Sequence, residues 1–501
     1  MTVDLEWVRR DAEAFLREAA LEEYGNLAGL SPESRLAAVY ERHARLAERD
    51  LVAEVARARA TAGGPLAEFL VGHYAGRATA AITDRLLAAE ARATLDLPGE
   101  TGALTYRNAA VAIRNESDRD RRDRLARARA AVDGRLVPLR GELWARTYEA
   151  LEAVGFADYV ATCAGFSGID YGPLRARLDA FTRATDDVYR DHLDYYLRKS
   201  VGPTPGGARA HDLARLLRAP QFDGLFPRSE LLPAAERTAA SLGLSLTAGG
   251  RIELDTEARP GKTPRAFCMP VEVPGRVILV VMPQGGQDDW RAFLHELGHA
   301  LHFANVDAGL AFEARHLGDN SVTEGFAFTV EHLMHQRPWL RRRLGLAGGP
   351  LEDYLRFAHF ELLYIVRRYG AKLAYELDLH AGGGAASAPG SERARALADR
   401  YREALRRALL VDYPAEQYLA DVDPGFYSAR YLRAWMFEAQ LREQLLERFD
   451  EDWFRNPKAG AFLTGLWREG QPARLEALAA KVGLPAPDLG PLERLLTAAL
   501  A

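Results

Sequence analysis

The stretch "RAFLHELGHALHF", residues 291–303, places three histidines and a glutamate among residues that a helix would bury. Its apolar residues recur at three- and four-residue spacing, which predicts an α-helix. His295 and His299 are four positions apart, so both imidazoles lie on the same face of that helix. Glu296 projects to one side of this pair. Several polar groups side by side on a buried helix face indicate a binding site.

This spacing is the H-E-x-x-H pattern of metal-assisted hydrolysis. Zinc is bound by imidazole nitrogens at about 2.0–2.1 Å in a tetrahedral arrangement, and catalytic zinc has a third protein ligand and one open position. We therefore predict one Zn²⁺ per chain with His295 and His299 as ligands. Glu296 is the predicted general base that activates the zinc-bound water.

The third ligand is predicted from the segment that follows. Glu324 lies 25 residues after His299 in "SVTEGFAFTVEHLM", which has the pattern of a second helix. Asp319, 20 residues after His299 in "LGDNSV", is an alternative ligand. Ser321 and Glu324 also fit a capping box, in which the glutamate would only satisfy a backbone N–H. We favour Glu324 as the ligand, because the preceding helix already supplies two others.

Strand patterns occur just before the HELGH helix. They are "RIEL" (251–254), "RAFCMPVEV" (265–273) and "RVILVVMP" (276–283), and Pro274-Gly275 joins the last two as a turn. These predict a small antiparallel β-sheet beside the active-site helix, whose edge could align an extended peptide by strand addition. Most of the remaining chain has helical periodicity, so the predicted fold class is mainly α.

The length of 501 residues exceeds the roughly 250–300 residues at which a single core stops growing. The segment "SVGPTPGGARAHD", residues 200–212, is rich in proline and glycine and is a candidate boundary. We therefore predict an N-terminal helical region, residues 1–200, and a catalytic region, residues 201–501. The catalytic region contains the HExxH helix, the small sheet and the C-terminal helices.

Composition excludes several partner classes. A net charge of −5 and a pI near 6.2 give no electrostatic case for nucleic acid or an anionic membrane. Cys163 and Cys268 are the two cysteines, too few for a disulfide framework. No run of about 18 apolar residues suggests a membrane span, and the N-terminus lacks the order of a signal peptide. We expect a cytoplasmic protein, and the sequence carries no signal of its oligomeric state.

Residues 262–331 resemble the core of the M3 metallopeptidases, the group of thimet oligopeptidase and oligoendopeptidase F. The matching pieces are "RAFC", "RVILVVMP", "HELGHALH" and "TEGFAFTVE". The resemblance implies a two-lobed, mainly helical metallopeptidase with a zincin-like core that hydrolyses internal bonds of short peptides. By position it implies His295, His299 and Glu324 as zinc ligands and Glu296 as the base. It also implies that Glu331 supports a ligand.

A C-terminal stretch, "DPGFYSARYLRAW" (423–435), is similar to the oligoendopeptidase F sequence "PFYVYKYA". The resemblance implies that Tyr427 and Tyr431 help to hold the transition-state oxyanion. The chain departs from the family at Ala429, where a tyrosine is expected, and it lacks the family's preceding histidine. Arg430 could replace the lost donor. Alternatively, the two tyrosines pack in the core at i, i+4 spacing.

Two other functions stay open at this point. A metallocarboxypeptidase of the M32 or angiotensin-converting type also pairs an HExxH helix with a distant glutamate, although "VTEGFAF" differs from the M32 string. A catalytically impaired, zinc-containing peptide-binding protein would explain the departures in the C-terminal stretch. His302 matches a recurrent family position, and we favour a buried structural histidine over a substrate contact.

Overall fold

The computed structural model describes residues 3–31, 33–58, 64–99 and 102–501. Helices form most of it, so the chain is mainly α, as predicted. The α-helices of these residues are α1 (Leu5–Leu27), α2 (Leu36–Arg42), α3 (Arg49–Arg57), α4 (Gly64–Arg92), α5 (Tyr106–Asn115), α6 (Arg119–Ala153), α7 (Tyr159–Ser167), α8 (Tyr171–Ala184), α9 (Asp186–Ser200), α10 (Ala210–Arg218), α11 (Leu231–Ser241), α12 (Gln287–Ala304), α13 (Phe312–His316), α14 (Asn320–Glu331), α15 (Arg337–Leu344), α16 (Gly348–His380), α17 (Glu392–Leu409), α18 (Tyr427–Phe449), α19 (Pro457–Trp467), α20 (Leu475–Lys481) and α21 (Gly490–Leu500).

The sheet has three strands, β1 (Ile252–Asp255), β2 (Phe267–Glu272) and β3 (Arg276–Val280), in the order β1-β3-β2. β2 and β3 form the predicted antiparallel hairpin. β1 pairs with β3 in parallel, so the sheet is mixed, and the expectation of a wholly antiparallel sheet is wrong for this strand. The connection over residues 256–266 leads from β1 at one edge of the sheet to β2 at the other edge, and β3 then lies between them. Strand periodicity does not specify which neighbour a strand pairs with or in which direction.

The chain forms two compact units. The first unit comprises Met1–Val71, Pro220–His359 and Arg430–Leu495, and the second comprises Gly72–Ala219, Phe360–Ala429 and Leu496–Ala501. The first unit contains the sheet, α12 and α14. The linear division into residues 1–200 and 201–501 stays a prediction.

The core of the first unit lies around α12. This helix packs against α14, β2 and β3 and buries Trp290, Phe293, Leu294 and Leu297. Its apolar residues recur at helical spacing, so one face of the helix is buried, and His295 and His299 lie beside that face. Within the described residues, no helix has the length and apolar character needed to cross a bilayer.

Both helices of the site have well-defined starts. Asp319 caps α14 through its Oδ1, which accepts the backbone N–H of Ser321 at 2.9 Å. α12 begins after Gly286, whose φ of 88° is a conformation that favours glycine. Asp289 in the first turn accepts the N–H groups of Gln284 and Gly285 at 2.8 and 2.9 Å. These contacts fix the loop that leads from the sheet into α12.

Candidate metal centre

Helices α12 and α14 bring three predicted ligands together. The Nε2 atoms of His295 and His299 lie 3.2 Å apart. Glu324 Oε2 lies 3.3 Å from the first of these nitrogens and 3.6 Å from the second. Among the described residues, this is the group of His, Cys, Asp or Glu side chains that places three ligand atoms within 4.8 Å of one another.

The triangle formed by these three atoms fits a tetrahedral zinc ion. Ligand distances of about 2.0–2.1 Å correspond to tetrahedron edges of about 3.3–3.4 Å. The three observed separations, 3.2, 3.3 and 3.6 Å, bracket that length. Two imidazole nitrogens and one carboxylate oxygen are also a donor set that catalytic zinc sites use. The residues present therefore fit the predicted metal.

The outer nitrogen of each imidazole is fixed by a hydrogen bond. His295 Nδ1 donates to Glu331 Oε2 at 2.8 Å, and His299 Nδ1 donates to Thr323 Oγ1 at 2.8 Å. We assign both protons to Nδ1, because an ionised carboxylate only accepts and because this leaves both Nε2 lone pairs directed to the centre. Glu331 was predicted from the sequence to support a ligand, whereas Thr323 was not predicted. The sequence feature that could have indicated Thr323 is its position directly before Glu324, the predicted third ligand.

The site concentrates negative charge around the imidazoles. Burial lowers the pKa of His295, but its hydrogen bonds to Glu324 and Glu331 outweigh burial and raise the pKa to about 10. Burial raises the pKa of Glu324, but the neighbouring imidazoles of His299 and His295 hold this pKa well below its usual range. A centre with these carboxylates favours positive charge, either as protons on the histidines or as a metal cation.

Glu296 is held at the sheet. Its Oε2 accepts the backbone N–H of Cys268 on β2 at 2.9 Å. β2 has β3 as its single strand neighbour, whereas β3 is paired on both sides. β2 is therefore the edge strand next to the predicted base, and the interior position of β3 excludes it as a strand that aligns a peptide.

The start of α14 at Asn320 argues against two alternatives, Asp319 as the third ligand and Glu324 as part of a capping box. Asp319 does not lie with the ligands, because it caps α14 and its Oδ2 accepts the N–H of Leu475 at 3.2 Å and a guanidinium N–H of Arg433 at 3.4 Å. Glu324 is the fifth residue of α14, whereas a capping box would place it third after Ser321. The side chain of Glu324 is instead directed to the two histidines.

His302 is a structural histidine. It is fully buried and its Nε2 donates to the carbonyl oxygen of Gly470 at 3.2 Å. Burial lowers the pKa of His302 to about 3, so the ring stays neutral. The preference for a structural role over a substrate contact agrees with this environment.

Tyr431 lies one aromatic ring away from the centre. The Phe328 ring packs against His295 at 5.1 Å and against Tyr431 at 6.1 Å between centroids. Arg430 was the alternative oxyanion donor, but its guanidinium is ion-paired with Glu68. An oxyanion role for Tyr431 stays a prediction.

Tyr427 belongs to the second unit, where it begins α18 after a turn with unusual backbone angles. Gly425 and Phe426 have φ values of 67° and 52°. Buried Glu376 holds this turn, accepting the N–H of Asp423 at 2.7 Å and the hydroxyl of Ser428. A positive φ at a non-glycine residue persists only where its surroundings enforce it. The oxyanion role of Tyr427 stays a prediction.

Comparison with known proteins gives structural matches. No family model and no curated protein matches the chain. A solved PZ peptidase A with an inhibitor matches with a TM-score of 0.65 at 14% identity, covering 98% of this chain and 90% of that one. The fold is that of solved peptidases. A chain provisionally described as oligoendopeptidase F matches with a TM-score of 0.64 at 15% identity, with coverages of 98% and 90%.

A third match has the same fold. A protein from Chlamydophila abortus, provisionally described as a peptidase, has a TM-score of 0.63 at 11% identity and coverages of 99% and 89%. These matches extend over nearly the whole chain. At such low identities the similarity shows the fold, and the activity rests on the site.

Proposed function

We propose that this protein is a zinc-dependent oligoendopeptidase, which hydrolyses internal bonds of short peptides. The observation that carries the proposal is the triangle of His295 Nε2, His299 Nε2 and Glu324 Oε2, whose edges of 3.2–3.6 Å fit tetrahedral zinc. The peptidase fold and the resemblance to the M3 family support it. The cytoplasmic location expected from the composition stays a prediction.

When bound, zinc would act as a Lewis acid that polarises the peptide carbonyl and lowers the pKa of water. The chain's own residues do the remaining work. Glu296 would take a proton from the attacking water and return it to the leaving amine. The hydrogen bonds from His295 to Glu331 and from His299 to Thr323 hold both imidazoles in their ligand orientation. Tyr431 and Tyr427 are the proposed donors to the oxyanion.

The substrate would lie along β2. β2 is an edge strand of the sheet, and the N–H of Cys268 on this strand donates to Oε2 of Glu296, so the proposed base lies directly beside the strand that would align the peptide. Strand addition recognises the main chain of an extended peptide and depends little on its side chains. This favours unfolded short peptides over folded proteins as substrates.

Zinc-loaded protein and an internally quenched peptide with blocked termini test the proposal. An acetylated, amidated peptide is cleaved by an endopeptidase and resists a carboxypeptidase of the M32 or angiotensin-converting type. We expect internal cleavage that Glu296→Gln abolishes and that the exposed control Glu236→Gln retains. Cleavage confined to peptides with a free C-terminus would identify the carboxypeptidase. Peptide binding with zinc but without turnover would identify the impaired binding protein.

A further inference from the structure

The turn over residues 423–428 leads into α18 in the second unit and carries Tyr427, one of the two proposed oxyanion donors. Tyr427 is half-buried and directly follows Phe426, whose φ of 52° is unfavourable for a residue with a side chain. The position of Tyr427 therefore depends on the groups that hold this turn. We propose that Glu376 is a positioning residue for Tyr427, which fixes the turn and thereby the direction of the tyrosine hydroxyl. This role rests on the proposed function, because it concerns the same reaction.

Glu376 contacts the turn at both of its ends. Its Oε1 accepts the backbone N–H of Asp423 at 2.7 Å, and its Oε2 accepts the hydroxyl of Ser428. Glu376 and Ser428 are fully buried, so water does not compete for the hydrogen bond between them. Ser428 directly follows Tyr427 in the chain. One carboxyl group thus ties the start of the turn to the residue next to the proposed donor.

Glu376 belongs to a row of charged side chains on α16. Arg368, Lys372 and Glu376 are spaced four positions apart, so they lie on one face of the helix. The Arg368 guanidinium donates to Asp421 Oδ2 at 2.7 Å, and the Lys372 ammonium lies 2.7 Å from Asp423 Oδ1. The row therefore binds the segment before α18 at successive positions, and Glu376 is the member that reaches α18 itself.

Aromatic residues hold the middle of the turn. The Tyr159 hydroxyl accepts the N–H of Gly425 at 2.7 Å. The buried ring of Phe426 packs against Tyr171, His380 and Tyr159, with centroids 4.9, 5.4 and 5.6 Å apart. These contacts do not involve Glu376, so they should anchor the turn when this side chain is changed. Loss of the carboxyl group should therefore loosen the two ends of the turn and leave its centre in place.

A carboxyl group at this position supplies direction as well as stability. Buried ionisable groups are often no more stabilising than apolar side chains of similar volume. Two hydrogen bonds from Glu376, by contrast, define where both ends of the turn lie. Such precision matters for a donor to the oxyanion, because a displacement of about 1 Å in a reacting or binding group can cost about 10²-fold in rate. These contacts are those expected of a residue that positions Tyr427.

Steady-state cleavage of the blocked, quenched peptide by the zinc-loaded full chain tests this role. Glu376→Met keeps the side-chain length but removes both acceptors, so kcat should fall about 10–100-fold with a smaller change in KM. Glu376→Gln can accept from Asp423 and donate to Ser428, so it should retain most of the wild-type kcat. Thr185→Val is the stability control, because it removes a buried hydrogen bond with Arg367 elsewhere in the second unit, and it should retain kcat.

A double-mutant cycle separates positioning from general damage. Where Tyr427→Phe has already removed the hydroxyl, Glu376→Met should lower kcat little further, because the donor that it positions is gone. The zinc content should stay stoichiometric in every variant. If Glu376→Met does not fold, Ser428→Ala takes its place in the same cycle, since it removes one of the two hydrogen bonds.

The same factor in kcat for Glu376→Met in the wild-type and Tyr427→Phe backgrounds would overturn the role of Glu376. Wild-type kcat in Glu376→Met or in Tyr427→Phe, or a Glu376→Gln variant as impaired as Glu376→Met, would overturn it as well. In each of these cases the wild-type chain still cleaves the peptide, so the proposed function stands. A zinc-loaded wild-type chain that cleaves nothing would refute the proposed function and, with it, the role of both residues.

Discussion

Gly298 on α12 lies directly against Ala327 on α14. A Cβ built at position 298 would lie 2.6 Å from the Cα of Ala327 and 3.0 Å from the carbonyl oxygen of Phe326. Gly298, which directly precedes His299, is therefore a point of close approach between the helices that carry the three predicted ligands. Without a side chain at this position, α14 can bring Glu324 up to the imidazoles.

Gly298→Ala should move the two helices apart. We expect a loss of about 1–3 kcal/mol in the free energy of unfolding, which is typical of overpacking, together with weaker zinc binding. Urea unfolding and metal titration measure both effects. Gly465 is the matched control, because it lies in α19 with open space at its Cβ position. Gly465→Ala should be neutral or stabilising by up to about 1 kcal/mol. Equal effects of the two substitutions would contradict this account.

Thr323→Val should weaken zinc binding about 10–100-fold, because it removes the acceptor that orients His299 while keeping the side-chain shape. Thr323→Ser restores the hydroxyl and should recover most of the affinity. Competition titration with a chromophoric chelator measures the affinities, and unfolding curves report whether stability changed. If valine and serine bind zinc equally well, the hydrogen bond does not orient the ligand.

Tyr431→Phe and Tyr427→Phe test the two predicted oxyanion donors separately. Removing one such donor typically lowers kcat about 10²–10³-fold, because the hydrogen bond is strongest in the transition state. If the tyrosine is a donor, its phenylalanine variant should have a lower kcat and a smaller change in KM. The zinc content of the variant should stay stoichiometric. Two variants with wild-type kcat would assign both tyrosines to packing.

Glu376→Gln should change how stability depends on pH. Burial raises the pKa of Glu376 from 4.5 to about 8. Because the folded state holds this proton more tightly than the unfolded state, the stabilising effect is complete below about pH 4.5 and is lost progressively as pH rises toward 8. Glutamine resembles the protonated carboxyl group, so the variant should lose less stability than wild type between pH 5 and 8.

Urea unfolding at several pH values provides the measurement, with exposed Glu447→Gln as the control. The control should keep the wild-type pH profile. A Glu376→Gln profile that runs parallel to wild type over this range would show that the carboxyl group is ionised in the folded protein.

The placement of the two predicted histidine ligands on one helix face follows from local geometry. Histidines at i and i+4 share a helix face in any fold, and the helix that carries Glu324 could be predicted from its apolar spacing. The mainly α fold class and the hairpin of β2 and β3 were predictable for the same reason. These features depend on periodicity over a few residues.

Features that depend on long-range packing were not predictable. The parallel pairing of β1 with β3 and the position of Thr323 opposite His299 arise from contacts between distant segments. The role of Asp319 depends on where α14 begins, and the capping-box alternative placed that boundary two residues too late.

Zinc content is the most direct test of the central claim, that His295, His299 and Glu324 hold one metal ion. Elemental analysis of protein purified in zinc and freed of excess metal should give one zinc per wild-type chain. Glu324→Ala should abolish stoichiometric zinc, whereas Glu296→Gln and Asp319→Asn should retain it. Full zinc in Glu324→Ala, or its loss in Asp319→Asn from a folded protein, would contradict the ligand assignment.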